Sequence, residues 1–217
     1  MAARPVAAPL AENALRASRL GVLGGSFDPP HLGHLHAARR ARGAFALEHV
    51  VFVPAARPPH KPERVLASAS ARLEMLALLL EGEPDVSTWS VELERSGPSY
   101  TVDTLRELRA RVPAATRLYL VLGEDHLAGF ARWREVEEIV RLAQPIVVHR
   151  AGGADAGEAE LSDFARTRLD LGRLAGGAFD AASTALRAEL AHGRVPEPLL
   201  PPRLRAYLRE HAPYGRP

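Results

Sequence analysis

Several short runs of this chain are apolar almost without interruption, and between them apolar residues recur every three or four positions. The runs are 19–23, 49–54 (His49-Val50-Val51-Phe52-Val53-Pro54), 117–122 (Arg117-Leu118-Tyr119-Leu120-Val121-Leu122) and 145–149 (Pro145-Ile146-Val147-Val148-His149). A short apolar run without alternation fits a parallel strand covered on both faces. The helix-like stretches are Leu35 to Phe45, Arg72 to Leu80, Tyr100 to Arg111 and Arg134 to Leu142. In the third, Val102, Leu105, Leu108 and Val112 share one face. Strands alternating with helices predict an α/β fold with a doubly wound parallel sheet, in which a ligand sits beyond the carboxyl ends of the strands.

The remaining stretches read as connections. Residues 55–68 carry Pro58, Pro59 and Pro62, and 151–157 (Ala-Gly-Gly-Ala-Asp-Ala-Gly) reads as a flexible surface turn. Prolines crowd 193–202 before a last amphipathic helix near 203–211. The region after 160 is expected to form a small helical part, with a weak strand interrupted by Gly176 and Gly177. Residues 1–18, rich in Ala, Pro and Arg, are expected to be a disordered extension of a single domain spanning 19–217. Their arginines and single acid, Glu12, leave an organellar leader as the alternative.

Composition narrows the classes. With 217 residues, 47% hydrophobic and 25% charged, the chain can bury one sizeable core. It has no cysteine, hence no disulfide and no thiolate chemistry. A formal charge of +2 suits an anionic small molecule and is too weak to point to nucleic acid. No apolar stretch is long enough for a membrane span. Together these fit a cytoplasmic protein and leave a homo-oligomer open. Lys61 is the only lysine among 28 basic residues, which makes a compact ammonium at that position a candidate for anion contact.

The segment Gly24-Gly25-Ser26-Phe27-Asp28-Pro29-Pro30-His31-Leu32-Gly33-His34 joins the first strand to the first helix. Glycines let backbone approach a phosphate, and a helix start offers N–H groups and the positive end of a dipole. His31 and His34 lie on one face of that first turn. A metal site on His31, His34 and His36 is the alternative, although helical metal ligands favour i, i+4 spacing and the upstream glycines and prolines then have no role.

This segment resembles the signature of nucleotidyltransferases that carry an H-x-G-H motif. Further segments narrow the resemblance: Pro58-Pro59-His60-Lys61, Ser99-Tyr100-Thr101-Val102-Asp103-Thr104-Leu105, Gly123-Glu124-Asp125 followed by Trp133, and Ser183-Thr184-Ala185-Leu186-Arg187. In that order, over about residues 19–214, they are similar to the bacterial nicotinate mononucleotide adenylyltransferases. The resemblance implies a Rossmann-like nucleotidyltransferase fold. It implies that ATP and nicotinate mononucleotide give deamido-NAD and pyrophosphate, without a protein nucleophile and without nucleic-acid or membrane partners.

The resemblance also implies residue roles. His31, His34, Lys61 and Arg187 would stabilise charge at the reacting phosphates. Gly24, Gly25, Ser26, Phe27, Gly33, Gly123, Asp125, Ser183 and Thr184 would hold ATP, with Asp125 accepting from the ribose hydroxyls. Lys61, Thr101, Trp133 and Arg134 would hold the mononucleotide, with Trp133 stacking on the pyridine ring. Three positions depart from the family pattern: Glu124 stands where a small residue is usual, Arg134 where an aromatic is common, and Ala182 where another serine is usual. Mg2+ is expected through the ATP phosphates, with no protein ligand assigned. Acceptor alternatives are nicotinamide mononucleotide and phosphopantetheine. Other classes are a histidine-based metal hydrolase and a nucleotide-sensing module.

Overall fold

The computed structural model describes residues 7–58, 67–149, 160–177, 179 and 182–215. Its strands are β1 (Arg19–Gly25), β2 (His49–Pro54), β3 (Val86–Thr88), β4 (Arg117–Gly123), β5 (Gln144–Val148) and β6 (Arg173–Leu174). They form one sheet in the order β3-β2-β1-β4-β5-β6, with every neighbouring pair parallel. The four apolar runs are the four longer strands. The other two, β3 and β6, are too short to show a pattern in the sequence.

Helices fill the connections: α1 (Glu12–Arg16), α2 (Leu32–Phe45), α3 (Ala69–Leu80), α4 (Val91–Glu94), α5 (Thr101–Arg111), α6 (Leu127–Phe130), α7 (Val136–Leu142), α8 (Asp163–Asp170), α9 (Ser183–Ala191) and α10 (Pro202–His211). They cover both faces of the sheet, which explains why the strands lack alternation. Along β4, Leu118, Leu120 and Leu122 enter one core with α5, α7 and α8, while Tyr119 and Val121 enter a second core with α2, α3, α9 and α10. Burying a side chain of this size contributes about 1.5–3 kcal/mol, so a strand with both faces covered is apolar at every position.

One region differs from expectation. Within 1–18, the described residues pack on the sheet: α1 places Ala14 and Ala17 in the first core. Ala8 N–H donates to Ser90 Oγ at 2.9 Å, and Ser90 N–H returns a bond to the Ala8 carbonyl at 2.9 Å. Small alanines make this contact, and they leave little apolar signal in the sequence. After residue 160 the expected helical part is α8, α9 and α10, which pack into the two cores. The first core takes Ala165 and Leu169 of α8, and the second takes Leu186 and Leu190 of α9 and Leu204 and Leu208 of α10. The predicted turn at 151–157 lies outside the described residues.

Successive strands run outward from β1 in one direction and from β4 in the other, so the connections diverge between these two neighbours. That divergence opens a crevice at the carboxyl ends of the strands. Leu23 pairs with Phe52 on one side and Val121 on the other, which brings the ends of β1, β2 and β4 level at the rim.

Candidate active site

The crevice floor is the end of β1. A methyl group at Gly21, inside the strand, would meet Leu47 Cδ1 at 2.9 Å and Val50 Cγ2 at 3.0 Å, so Gly21 is a packing glycine. A methyl at Gly24 would meet no atom within 4 Å, and Gly24 borders a cavity. Its bare backbone is left open toward that space. At Gly25 a Cβ would come within 3.2 Å of the Phe27 ring, so this glycine also makes room for a neighbour.

These differences predict opposite phenotypes. Gly21→Ala is expected to cost about 1–3 kcal/mol in chemical denaturation, because the core must yield. Gly24→Val is expected to leave stability within about 0.5 kcal/mol and to lower turnover about tenfold or more, because bulk enters the cavity. Wild-type turnover in Gly24→Val would remove Gly24 from the site.

Phe27 turns the chain. Its φ of 47° is left-handed, a conformation uncommon for a residue with a side chain. The turn is held by burial of its ring, 5.6 Å from Phe52 and 5.0 Å from His34. Phe27 is 0% exposed, so its side chain shapes the loop from within. The Asp28–Pro29 peptide bond that follows is cis.

The two histidines cap α2. His31 occupies the N-cap, and its Nδ1 accepts from Gly33 N–H at 3.1 Å. His34 reaches back, and its Nδ1 accepts from His31 N–H at 3.2 Å. Such reciprocal capping is normally made by Ser or Thr with Glu or Gln. With imidazoles it fixes the tautomer: each Nδ1 is an acceptor, so the neutral rings carry their proton on Nε2. The rings lie 3.9 Å apart between centroids. Two Nε2–H donors beside a helix N-terminus suit an anion. His31 is 0% exposed, whereas His34 is partly exposed. His36 turns elsewhere: its Nε2 pairs with the Gly177 carbonyl at 2.8 Å, and its ring packs on Phe179. Among the described residues, no cluster of three His, Cys, Asp or Glu side chains could hold a metal ion.

The start of α9 docks on this loop. Ser183 Oγ donates to the Pro29 carbonyl at 3.1 Å. Arg187 Nη1 donates to the Asp28 carbonyl at 2.6 Å, and Nη2 donates to Thr184 Oγ1 at 3.1 Å. The structure therefore brings Ser183, Thr184 and Arg187 to the cradle. Beneath it, the buried Arg72 donates through Nη1 to the Ser26 and Ala55 carbonyls, at 2.9 and 2.7 Å, and through Nε to the Ala67 carbonyl at 3.2 Å.

A cavity of about 440 Å³ opens beside Gly24, Gly25 and Ser26. Thr101, Trp133 and Arg134, the residues expected to hold a mononucleotide, all line it. Thr101 is the first residue of α5, one past the Tyr100 N-cap, so the first-turn N–H groups of that helix face no preceding turn. Trp133 is half-buried, with its ring edge-on to Phe130 at 5.1 Å. The Arg134 guanidinium sits 4.8 Å above the Tyr100 ring and 3.8 Å from Asp103, which places a cation at the helix start.

Gly123 ends β4, and Asp125 lies exposed in the 3-10 turn Glu124–His126, at the rim of the switch point. Glu124 is accounted for by His149: Oε2 lies 2.6 Å from His149 Nδ1 at the end of β5. Lys61 lies outside the described residues.

Residues 22–188 match the cytidylyltransferase-like family. A protein of Dehalococcoides mccartyi (strain ATCC BAA-2266), named a probable nicotinate-nucleotide adenylyltransferase, is 37% identical over 91% of this chain and 98% of its own length. Proteins of the same name from Bordetella petrii and Gloeobacter violaceus are 40% and 39% identical, covering 90% and 92% of this chain and 98% and 97% of theirs. This chain belongs to the nicotinate-nucleotide adenylyltransferase family. The fold also matches the nicotinic acid mononucleotide adenylyltransferase of Plasmodium falciparum complexed with NaAD. The TM-score is 0.70 at 16% identity, over 90% of this chain and 97% of that one.

Within this family frame, several residues of the site escape a reading of motifs. Glu92 is 7% exposed and lines the cavity wall. Thr104 Oγ1 donates to it at 2.6 Å while accepting from Arg95 Nη1 at 3.0 Å. Burial pushes the Glu92 carboxyl above its usual range, opposed by hydrogen bonds from Thr104 and Ser99 and by Arg95. Ser99 in turn accepts from the Ala56 N–H at 2.9 Å, so Glu92 ties α4, α5 and the end of β2 into one wall. Its only sequence signal was a carboxylate a few residues before Ser99. Arg72 reads in sequence as the polar edge of a helix; its role depends on three carbonyls that no pattern names.

Proposed function

We propose that this chain transfers the adenylyl group of ATP to nicotinate mononucleotide, giving deamido-NAD and pyrophosphate. The observation that carries this reading is the continuity of two sites: the capped Gly24–His34 turn opens directly into a cavity walled by Thr101, Trp133 and Arg134. The relatives of the same family bear names that state this activity.

In this reaction an oxygen of the mononucleotide phosphate attacks the α-phosphorus of ATP in line. A new P–O bond forms as the bond to the β-phosphate bridging oxygen breaks, and pyrophosphate leaves. No protein nucleophile is required. Transfer of this kind is accelerated by positioning and by donors aimed where charge develops. His34 Nε2–H, with His31 behind it, would donate to the α-phosphate oxygens. Ser183, Thr184 and Arg187 would take the leaving phosphates, Lys61 would add a positive charge, and Asp125 would accept from the ATP ribose.

The described residues near the cradle offer N–H, hydroxyl and guanidinium donors. The Asp28 carboxylate is already taken up by protein donors. Magnesium therefore enters with ATP as part of the substrate, held by phosphates and water. No described helix is long and apolar enough to cross a membrane, and the cytoplasm, with its ATP supply, is the compartment we assign.

At the other end, Trp133 offers a face for the pyridine ring. The first turn of α5 and Arg134 offer donors and positive charge for its carboxylate. A carboxamide would lose the charge. Acid mononucleotide is therefore expected to exceed the amide in kcat/KM by about ten- to a hundredfold, the range of a charge-assisted hydrogen bond. A pyrophosphate-release assay across nicotinate mononucleotide, nicotinamide mononucleotide and phosphopantetheine checks this. Equal turnover of acid and amide would overturn the substrate, and absence of release with every acceptor would overturn the reaction.

A further inference from the structure

We propose that Tyr214, at the far end of the chain, is a positioning residue for the reacting phosphates, acting through Asp28. The proposal rests on the reading that the Gly24–His34 turn and Arg187 serve ATP. Helix α10 ends at Ala212, whose φ of 40° turns the chain back, and Gly215 N–H closes the turn on the Ala212 carbonyl at 3.1 Å. That reversal carries Tyr214 against the second core and aims its hydroxyl at the site loop. Tyr214 Oη donates to Asp28 Oδ1 at 2.9 Å, and Ala67 N–H donates to the same oxygen at 3.1 Å. Arg187 Nη1 lies 3.9 Å from Asp28 Oδ2.

Asp28 is 0% exposed, and a buried carboxylate must be satisfied by donors that the fold holds in place. Three parts remote in sequence converge on it: the segment leading into α3, the middle of α9 and the tail beyond α10. Their division of labour matters for Arg187. Tyr214 and Ala67 serve Oδ1, while the Arg187 guanidinium stands 3.9 Å from Oδ2. Loss of the phenol hydroxyl removes one of the donors that hold Oδ1 in place. The carboxylate then turns toward Arg187, drawing it from the phosphates, and the backbone leading to the His31 cap shifts with it. Arg187 also bonds the Asp28 carbonyl, so side chain and backbone of Asp28 move together.

Tyr214→Phe tests this directly, with Tyr207→Phe as its control. Tyr207 also lies on the second core, but its hydroxyl is bonded to Glu74, and burial beside that carboxylate pushes it up to about 12. At temperatures well below its unfolding midpoint, Tyr214→Phe is expected to lower kcat/KM for ATP about tenfold, the effect of one hydrogen bond to a charged group, while KM for the mononucleotide stays near wild type and the thermal midpoint falls by a few degrees because a buried carboxylate loses a donor. Tyr207→Phe is expected to leave both kinetic parameters unchanged. Wild-type kcat/KM for ATP in Tyr214→Phe, or an equal loss in Tyr207→Phe, would overturn the proposal. If the wild-type protein turned over no mononucleotide, the adenylyl-transfer reading would fail by itself. Calorimetric titration with ATP would then decide the role of Tyr214, a weaker affinity in Tyr214→Phe alone supporting it and unchanged affinity overturning it.

Discussion

Replacing His34 by alanine is expected to lower kcat about 10²–10³-fold, the usual loss on removing one preorganised donor from a developing negative charge. The same change removes a helix cap, since His34 Nδ1 accepts from His31 N–H. Stability is therefore expected to fall by about 0.5–2 kcal/mol as well. The two effects can be separated. Asparagine presents a side-chain oxygen near the position of Nδ1 but has nothing at the position of Nε2. His34→Asn is expected to recover most of the thermal midpoint and none of the turnover. His36→Ala, whose ring is engaged with Gly177, is expected to keep wild-type turnover. Pyrophosphate release and thermal unfolding on the three variants check this. Near-wild-type kcat in His34→Asn would sink the donor role and leave His34 as a cap.

The histidine pair shows how far the sequence was legible. Spacing alone placed both side chains on one face of the first turn of a helix, and the glycines marked a close backbone approach. The apolar period, however, began the helix at Leu35, whereas α2 starts at Leu32. The extra turn arises because histidine does here what Ser and Glu do in ordinary capping boxes, and no propensity rule credits it. The same limit applied elsewhere. Strands buried on both faces announced themselves, while β3 and β6, held in register by their neighbours, were too short to be seen. Alanines of α1 fill a core position with so little apolar surface that residues 7–18 read as an extension.

The placement of Thr101, Trp133 and Arg134 on one cavity was legible, because the resemblance assigned all three to one ligand. Roles set by long-range convergence were not. Asp28 stood in plain view within the motif, but its partners come from Ala67, Arg187 and Tyr214, and only the fold brings these together. The packing of Phe27 was hidden for the same reason. The motif placed it in the phosphate loop, and its burial against Phe52 on another strand decides what it does.

Arg72 is where stability and function meet most closely, and its loss carries the largest expected effect on the fold. It is 2% exposed, and its guanidinium bonds the carbonyls of Ser26, Ala55 and Ala67. Ser26 and Ala55 both line the cavity, one at the end of β1 and the other at the end of β2. Arg72 thus fixes the distance between the phosphate loop and the cavity wall. Substitution by leucine keeps some apolar bulk but abandons three carbonyls, that of Ala55 buried and those of Ser26 and Ala67 partly so. Each unsatisfied group costs about 1–3 kcal/mol, so Arg72→Leu is expected to lose about 3 kcal/mol or more in urea unfolding, with relaxation absorbing part of the sum. Lysine restores the charge but cannot span three acceptors with its single nitrogen. Arg72→Lys is therefore expected to fall between wild type and Arg72→Leu in stability. Its turnover should fall at temperatures well below its unfolding midpoint, because Ser26 and Ala55 are no longer held by one planar group. Wild-type stability in Arg72→Leu would show that water or the backbone replaces those bonds. Full turnover in Arg72→Lys would show that charge alone sets the loop.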